Sequence, residues 1–168
     1  QKIAIGGTSG YAALAKLQLA GAQFKAGKTN EALASYESLS ADSSADHLLK
    51  DFAKLQAASL RLGEADFAEI ENRLKPLTAD SSDYKTSASE LLGLSAFKSQ
   101  KFDEARKYLE PLLIDPTASQ AIQERIKIVL AQIAASEVSN AAPASSEAAP
   151  AAAAPTLETV TKPNSDKK

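Results

Sequence analysis

Residues 91–116, LLGLSAFKSQKFDEARKYLEPLLIDP, read as two helices joined by a tight turn, and the rest of the chain is placed relative to them. Leu92, Gly93, Ala96 and Phe97 fall on one face of the first helix, and Gln100 and Lys101 make the turn. Phe102, Ala105, Tyr108, Leu109 and Leu112 then recur at helical spacing on a second helix, which Asp115-Pro116 ends. Gly93 and Ala105 put small side chains where the two helices cross closely, leaving the large ones to fill the layer between hairpins.

The same pattern returns upstream. Leu19, Leu55 and Leu92 are 36 and 37 residues apart, and Phe24, Leu60 and Phe97 share those intervals, as do Lys25, Arg61 and Lys98. In the second helices Ala32, Ile70 and Ala105 are 38 and 35 apart, which places a two-residue insertion in the Gly63–Asp66 turn. Ile70 also replaces the small residue at the crossing, so the middle hairpin is expected to pack more openly. This resembles the G-x2-Y…A-x3-F…P pattern of the tetratricopeptide repeat, which recurs about every 34 residues. The resemblance implies an all-α, right-handed superhelix of three helical hairpins plus a C-terminal capping helix. The hairpins are expected at about 11–41, 46–78 and 82–115, and the capping helix at 117–135.

Local signals set the boundaries. Gly6, Gly7 and Gly10 are expected to break a short stub at residues 1–10, with Thr8 or Ser9 capping the next helix. That helix, Tyr11–Ala26, has Leu14, Leu17, Leu19, Ala20 and Phe24 as its apolar set. Asp46 is expected to cap the third helix, and Asp66 with Glu69 to form a capping box on the fourth, where Pro76 kinks or ends the last turn. Ser81-Ser82-Asp83 is read as the start of the fifth helix. Thr117 and Gln120 are read as a second capping-box pair, ahead of a helix carrying Ile122, Ile126, Val129, Leu130 and Ile133. A lone amphipathic helix after the last hairpin covers the open face of the final repeat. Residues 136–168 lose apolar periodicity, hold Pro143, Pro150, Pro155 and Pro163, and are expected to be a disordered Ala/Pro-rich tail.

The composition narrows the function classes. Nineteen basic and twenty-one acidic residues give a net charge of -2, which offers no electrostatic footprint for nucleic acid. There is no Cys and a single histidine, His47, so thiolate zinc sites, disulfides and His-paired nucleophiles lack their residues. Gly6-Gly7-Thr8-Ser9-Gly10 lacks the spacing of a phosphate loop and is read as a turn. Carboxylates such as Asp103 and Glu104 fall in first turns, where they complement the helix dipole. The chain is therefore expected to be no enzyme and to need no cofactor or metal. It has no Met, so Gln1 is read as lying behind a removed segment, and any membrane attachment as lying upstream.

What remains is a surface for other proteins. Leu17, Gly21, Phe24, Ala53, Ala57, Leu60, Leu94 and Phe97 are expected to line the concave side of the stack, with Phe24, Leu60 and Phe97 alternatively in the inter-repeat core. Lys25, Arg61 and Lys98 are read either as a basic ladder holding a carboxylate-bearing peptide or as cations complementing helix C-termini.

The succession SGYAALAKLQLAGAQFKAGKTNEALASYESLSAD, LLKDFAKLQAASLRL, ENRLKPL and SASELLGLSAFKSQKFDEARKYLEPLLIDP, over residues 9–135, resembles the YfgM-like tetratricopeptide proteins of Gram-negative bacteria, especially their alphaproteobacterial branch. The resemblance implies a membrane anchor ahead of Gln1 and a domain on the periplasmic side of the inner membrane. It also implies translocon subunits, periplasmic chaperones or secreted clients as partners, and no catalytic residues. The alternative is a soluble, oligomerising scaffold without an anchor, located in the cytoplasm, pairing through the Ile122–Ile133 helix or the N-terminal edge.

Overall fold

The computed structural model describes the backbone of residues 2–141 and the side chains of residues 10–139. Helices α1 (Lys2–Lys25) and α2 (Thr29–Ser40) form the first hairpin, α3 (His47–Arg61) and α4 (Phe67–Leu74) the second, and α5 (Lys85–Lys98) and α6 (Phe102–Leu109) the third. Helix α7 (Gln120–Ala141) closes the stack, and no strand occurs among the described residues. The fold is an all-α helical solenoid, as the spacing predicts.

The turns follow from their residues. Gly27, at φ 76°, and Gln100, at φ 57°, occupy the left-handed position that ends α1 and α5. In each case the next amide reaches back to close the helix: Lys28 N donates to Gln23 O, and Lys101 N to Ala96 O, both at 2.9 Å. Three residues join the helices of the first and third hairpins and five join those of the second, so the two-residue insertion read from the spacing is present. The Asp46 carboxylate accepts from Leu48 N (2.9 Å) and caps α3; Asp66 accepts from Glu69 N (2.8 Å) and caps α4. The reciprocal half of the Asp66–Glu69 box is missing, because the Glu69 carboxylate is taken by Arg61 and Arg73.

Several expected boundaries move. Gly6, Gly7 and Gly10 lie inside α1 and do not break it, so neither a turn nor a phosphate loop exists there. A glycine in a helix costs only about 1 kcal/mol against alanine, and a helix of 24 residues absorbs it. Helix α6 stops at Leu109 rather than running on towards Asp115, since Pro111 has no amide to continue the ladder. A 3-10 turn, Glu110–Leu113, carries Leu112 into the core instead. Pro76 does the same after α4, in the 3-10 turn Lys75–Thr78 that buries Leu77. Residues 81–84 form turns ahead of α5, which begins at Lys85. Ser119, not Thr117, caps α7 (Ile122 N to Ser119 Oγ, 3.4 Å), while Thr117 bonds Asp115 and Thr86. Helix α7 runs through residues 136–141, and the rest of the expected tail lies outside the described residues.

The core divides at α3. Its Ala53 and Ala57 face the first hairpin, joining Ala13, Ala20, Ala32 and Tyr36 in a small-residue cluster. Its Leu55 and Ala58 join the larger second cluster, with Ile70, Leu74 and Leu77 below and Leu92, Leu109, Ile126 and Ile133 above. On α1 the predicted apolar set is split. Ala13 and Ala20 are buried, whereas Leu14 and Leu19 point outward. An Ala-rich helix buries whichever side the neighbouring hairpin covers, and here the covered side is the alanine one.

Candidate protein-binding surface

The eleven residues expected to form a groove do not share one open face. Ala53 and Ala57 are buried between α3 and the first hairpin, and Ala57 reaches only the floor of a pocket edged by Ser40, Lys54 and Arg73. Leu17 and Leu60 pack on the rim of that same cluster, and Leu94 and Phe97 on the rim of the second, where the Phe97 and Phe102 rings lie 6.3 Å apart. Gly21 is half-buried, facing the Tyr36 hydroxyl. Phe24, 52% exposed, and Lys25 stand open at the end of α1, and Lys98 is exposed at the end of α5.

The three cations at intervals of 36 and 37 residues likewise have different surroundings. Arg61 donates from Nε (3.1 Å) and Nη2 (2.9 Å) to the Glu69 carboxylate, bracing the long turn of the middle hairpin. The bidentate geometry suits a guanidinium on a carboxylate, and it holds the Glu69 carboxyl below its usual range. The network continues from Glu69 to Arg73 (3.1 Å) and from Arg73 to Glu37 on α2 (2.9 Å), tying the second hairpin to the first. Lys98 Nζ donates to the carbonyl oxygens of Leu62 (3.2 Å) and Gly63, which end α3 in the preceding hairpin. Thus Lys98 does complement a helix C-terminus, though not that of its own helix. Lys98 and Lys25 are both exposed, but Lys25 has no hydrogen-bond or ion-pair partner among the described residues.

A feature missed in the sequence is Glu90. It lies 73 residues after Leu17, in the matching place on α5, and is buried against α7. Its Oε1 is 3.1 Å from the half-exposed Arg125 guanidinium without the alignment of a hydrogen bond. Burial raises its carboxyl pKa above the ordinary 4.5, against the opposing pull of Arg125. Because the folded value is raised, the folded state binds the proton more tightly than the unfolded chain. Its stabilising contribution is therefore complete below pH 4.5 and is lost as the pH rises through the folded value. Glu90→Leu, which restores the residue type of Leu17, is expected to raise stability at pH 7 by about 1 kcal/mol. It should also flatten the decline in the urea midpoint above pH 4.5. A lower midpoint at pH 7 would show the ion pair to outweigh its desolvation.

His47 is exposed in the first turn of α3, with Nδ1 3.8 Å from Asp46 Oδ1. Among the described residues no group of His, Asp and Glu is placed to hold a metal, and no helix is long and apolar enough to cross a membrane. The family comparison agrees with the stack of hairpins: the model of the tetratricopeptide repeat-like domain matches residues 4–135. The chain belongs to that family. The match begins inside the stretch expected to be a separate stub, in keeping with the unbroken α1. Searches of curated proteins and of solved structures return no match. Tetratricopeptide repeat-like domains are in general non-catalytic modules that bind other proteins, and that coarse function holds for this chain.

Proposed function

We propose that this tetratricopeptide repeat-like domain is the periplasmic part of a membrane-anchored protein that assists secretion or envelope protein assembly. It would bind translocon subunits, periplasmic chaperones or emerging clients without chemistry of its own. The observation that carries the interaction reading is the family match across residues 4–135. Location and partner class are supported by the likeness of residues 9–135 to the YfgM-like proteins and by the absence of Cys. The second reading, a soluble oligomerising scaffold, is favoured by the exposed side chains Tyr11, Leu14 and Leu19 on α1.

Fractionation of cells producing the full-length protein separates the two. The first reading expects it in the inner-membrane fraction, with the domain digested by protease only once the outer membrane is opened. Recovery in the soluble cytoplasmic fraction would reject that reading. Within the domain, Lys25→Glu is the informative charge reversal, because Arg61 and Lys98 also hold the fold together. Cross-linked partner is expected to fall by about three- to tenfold, roughly 1 kcal/mol, with the circular dichroism unchanged. Undiminished recovery removes Lys25 from the binding surface.

A further inference from the structure

We propose that the pocket between the turns of the first and second hairpins binds the side chain of a lysine presented by a partner protein. The inference rests on the reading of the domain as an interaction module, and names a site on it and the partner group that the site takes. The pocket measures about 470 Å³. Gly27, Glu31 and Leu33 line it from the first hairpin, and Leu60, Arg61 and Glu64 from the second.

The next joint in the stack shows what such a gap accepts. There the third hairpin reaches across to the turn of the second with two lysines. Lys98 Nζ donates to the carbonyl oxygens of Leu62 (3.2 Å) and Gly63, and Lys101 Nζ stands 5.3 Å from the centre of the Phe67 ring. The interval that takes Lys25 to Arg61 also takes Ala26 and Gly27 to Leu62 and Gly63, so the first turn carries the matching pair of carbonyls. No hydrogen bond to either is made among the described residues. The second hairpin delivers no cation to them. Arg61, in the place of Lys98, is drawn onto Glu69 of its own hairpin, and Asp66, which precedes α4 as Lys101 precedes α6, is an acid.

A lysine from another protein supplies what this joint lacks. Leu33 and Leu60 are half-buried in the walls and offer apolar surface to its four-carbon stem. The carbonyls that end α1 carry partial negative charge, as those ending α3 do for Lys98. Glu31 and Glu64, with side chains 53% and 78% exposed, already pair with Lys28 and Arg61, so the four charged side chains balance and an entering ammonium meets no net positive charge from them. Arginine fits less well. Its planar fork suits a carboxylate, as Arg61 on Glu69 shows, whereas the separate donors of an ammonium suit separate carbonyls.

The test titrates the full chain, labelled for amide NMR, with Nα-acetyl-lysine methylamide and with its norleucine counterpart, which lacks the ammonium. Saturable shifts are expected for residues 27–31 and 60–64 with the lysine compound alone, leaving α5–α7 amides unmoved. Glu64→Lys, at an exposed position, is expected to weaken binding at least about fivefold. Absence of saturation overturns the proposal, as do equal shifts from the norleucine compound and undiminished binding by Glu64→Lys. Saturation of the same amides by acetate would make the pocket an anion site at the start of α2, and tighter binding of 1,4-diaminobutane would assign it to a free polyamine; either overturns the proposal. So do shifts of these amides without any probe, whether on dilution, which would assign the pocket to a second copy, or on replacing Lys162, Lys167 and Lys168 by alanine, which would assign it to the chain's own tail. A partner cross-linked equally well by wild type and Glu64→Lys would leave the interaction-module reading standing and overturn this one.

Discussion

Gly93→Val is expected to lower the stability of the domain by about 3 kcal/mol, because the third hairpin has no room for a side chain at that crossing. A Cβ built at Gly93 overlaps the Leu109 side chain at Cγ and Cδ2, in the middle of the isobutyl group rather than at a freely moving tip. Leu109 is fully buried and cannot swing away without opening the cluster it shares with Leu92 and Ile133. Gly93→Ala is milder, about 1–2 kcal/mol net, since alanine recovers roughly 1 kcal/mol of helix propensity against the overlap. The decisive measurement is a double-mutant cycle by urea denaturation followed at 222 nm. Leu109→Ala alone should cost about 3 kcal/mol. Combined with Gly93→Ala it should cost less than the sum by at least about 1 kcal/mol, since the new methyl occupies space that leucine vacated. Strict additivity would mean that the crossing does not depend on the absent side chain.

That glycine was legible in the sequence because it sits at a fixed offset from Ala105 within a repeating pattern. Gly6, Gly7 and Gly10 were misread because a glycine outside such a pattern is only a weak breaker. The unequal turn was also legible, since an insertion changes the spacing of every residue after it. Pro111 was overlooked, although it lies 35 residues after Pro76 and matching residues of α4 and α6 are equally far apart.

The candidate site was less legible for a physical reason. Spacing tells which residues share a helical face; it does not tell what covers the face. Lys25 and Lys98 are equivalent in sequence, yet among the described residues only Lys98 meets the end of a preceding hairpin. Leu19 and Leu92 are equivalent too, one open and one buried. Position in the stack decides between them. Glu90 was missed for the same reason: a carboxylate on the outward side of an ordinary repeat draws no notice until α7 is laid over it.

The closing helix provides the second large effect and a contrast between two kinds of attachment. Ion pairs join α7 to the third hairpin at two points, Arg125 to Glu90 on α5, where desolvation outweighs the pairing, and Arg106 on α6 to Glu137. Between them Ile126 and Ile133 are buried in the second cluster, with Val129 beside them. The Arg106 and Glu137 side chains remain partly in water, so that pair contributes at most about 1 kcal/mol. Removing the isobutyl-sized bulk of Ile133 forfeits its burial and leaves a cavity among Leu109 and its neighbours, about 3 kcal/mol. Ile133→Ala is therefore expected to lower the urea midpoint several times more than Glu137→Gln. Hydrogen exchange should then show α7 amides opening before those of α5 in Ile133→Ala, with the two helices exchanging together in the wild type. If Glu137→Gln proves the more damaging, charge rather than apolar burial fastens the cap, and α7 becomes sensitive to salt. If both variants are mild, α7 is a loosely held flap and the second core cluster is closed by α5 and α6 alone.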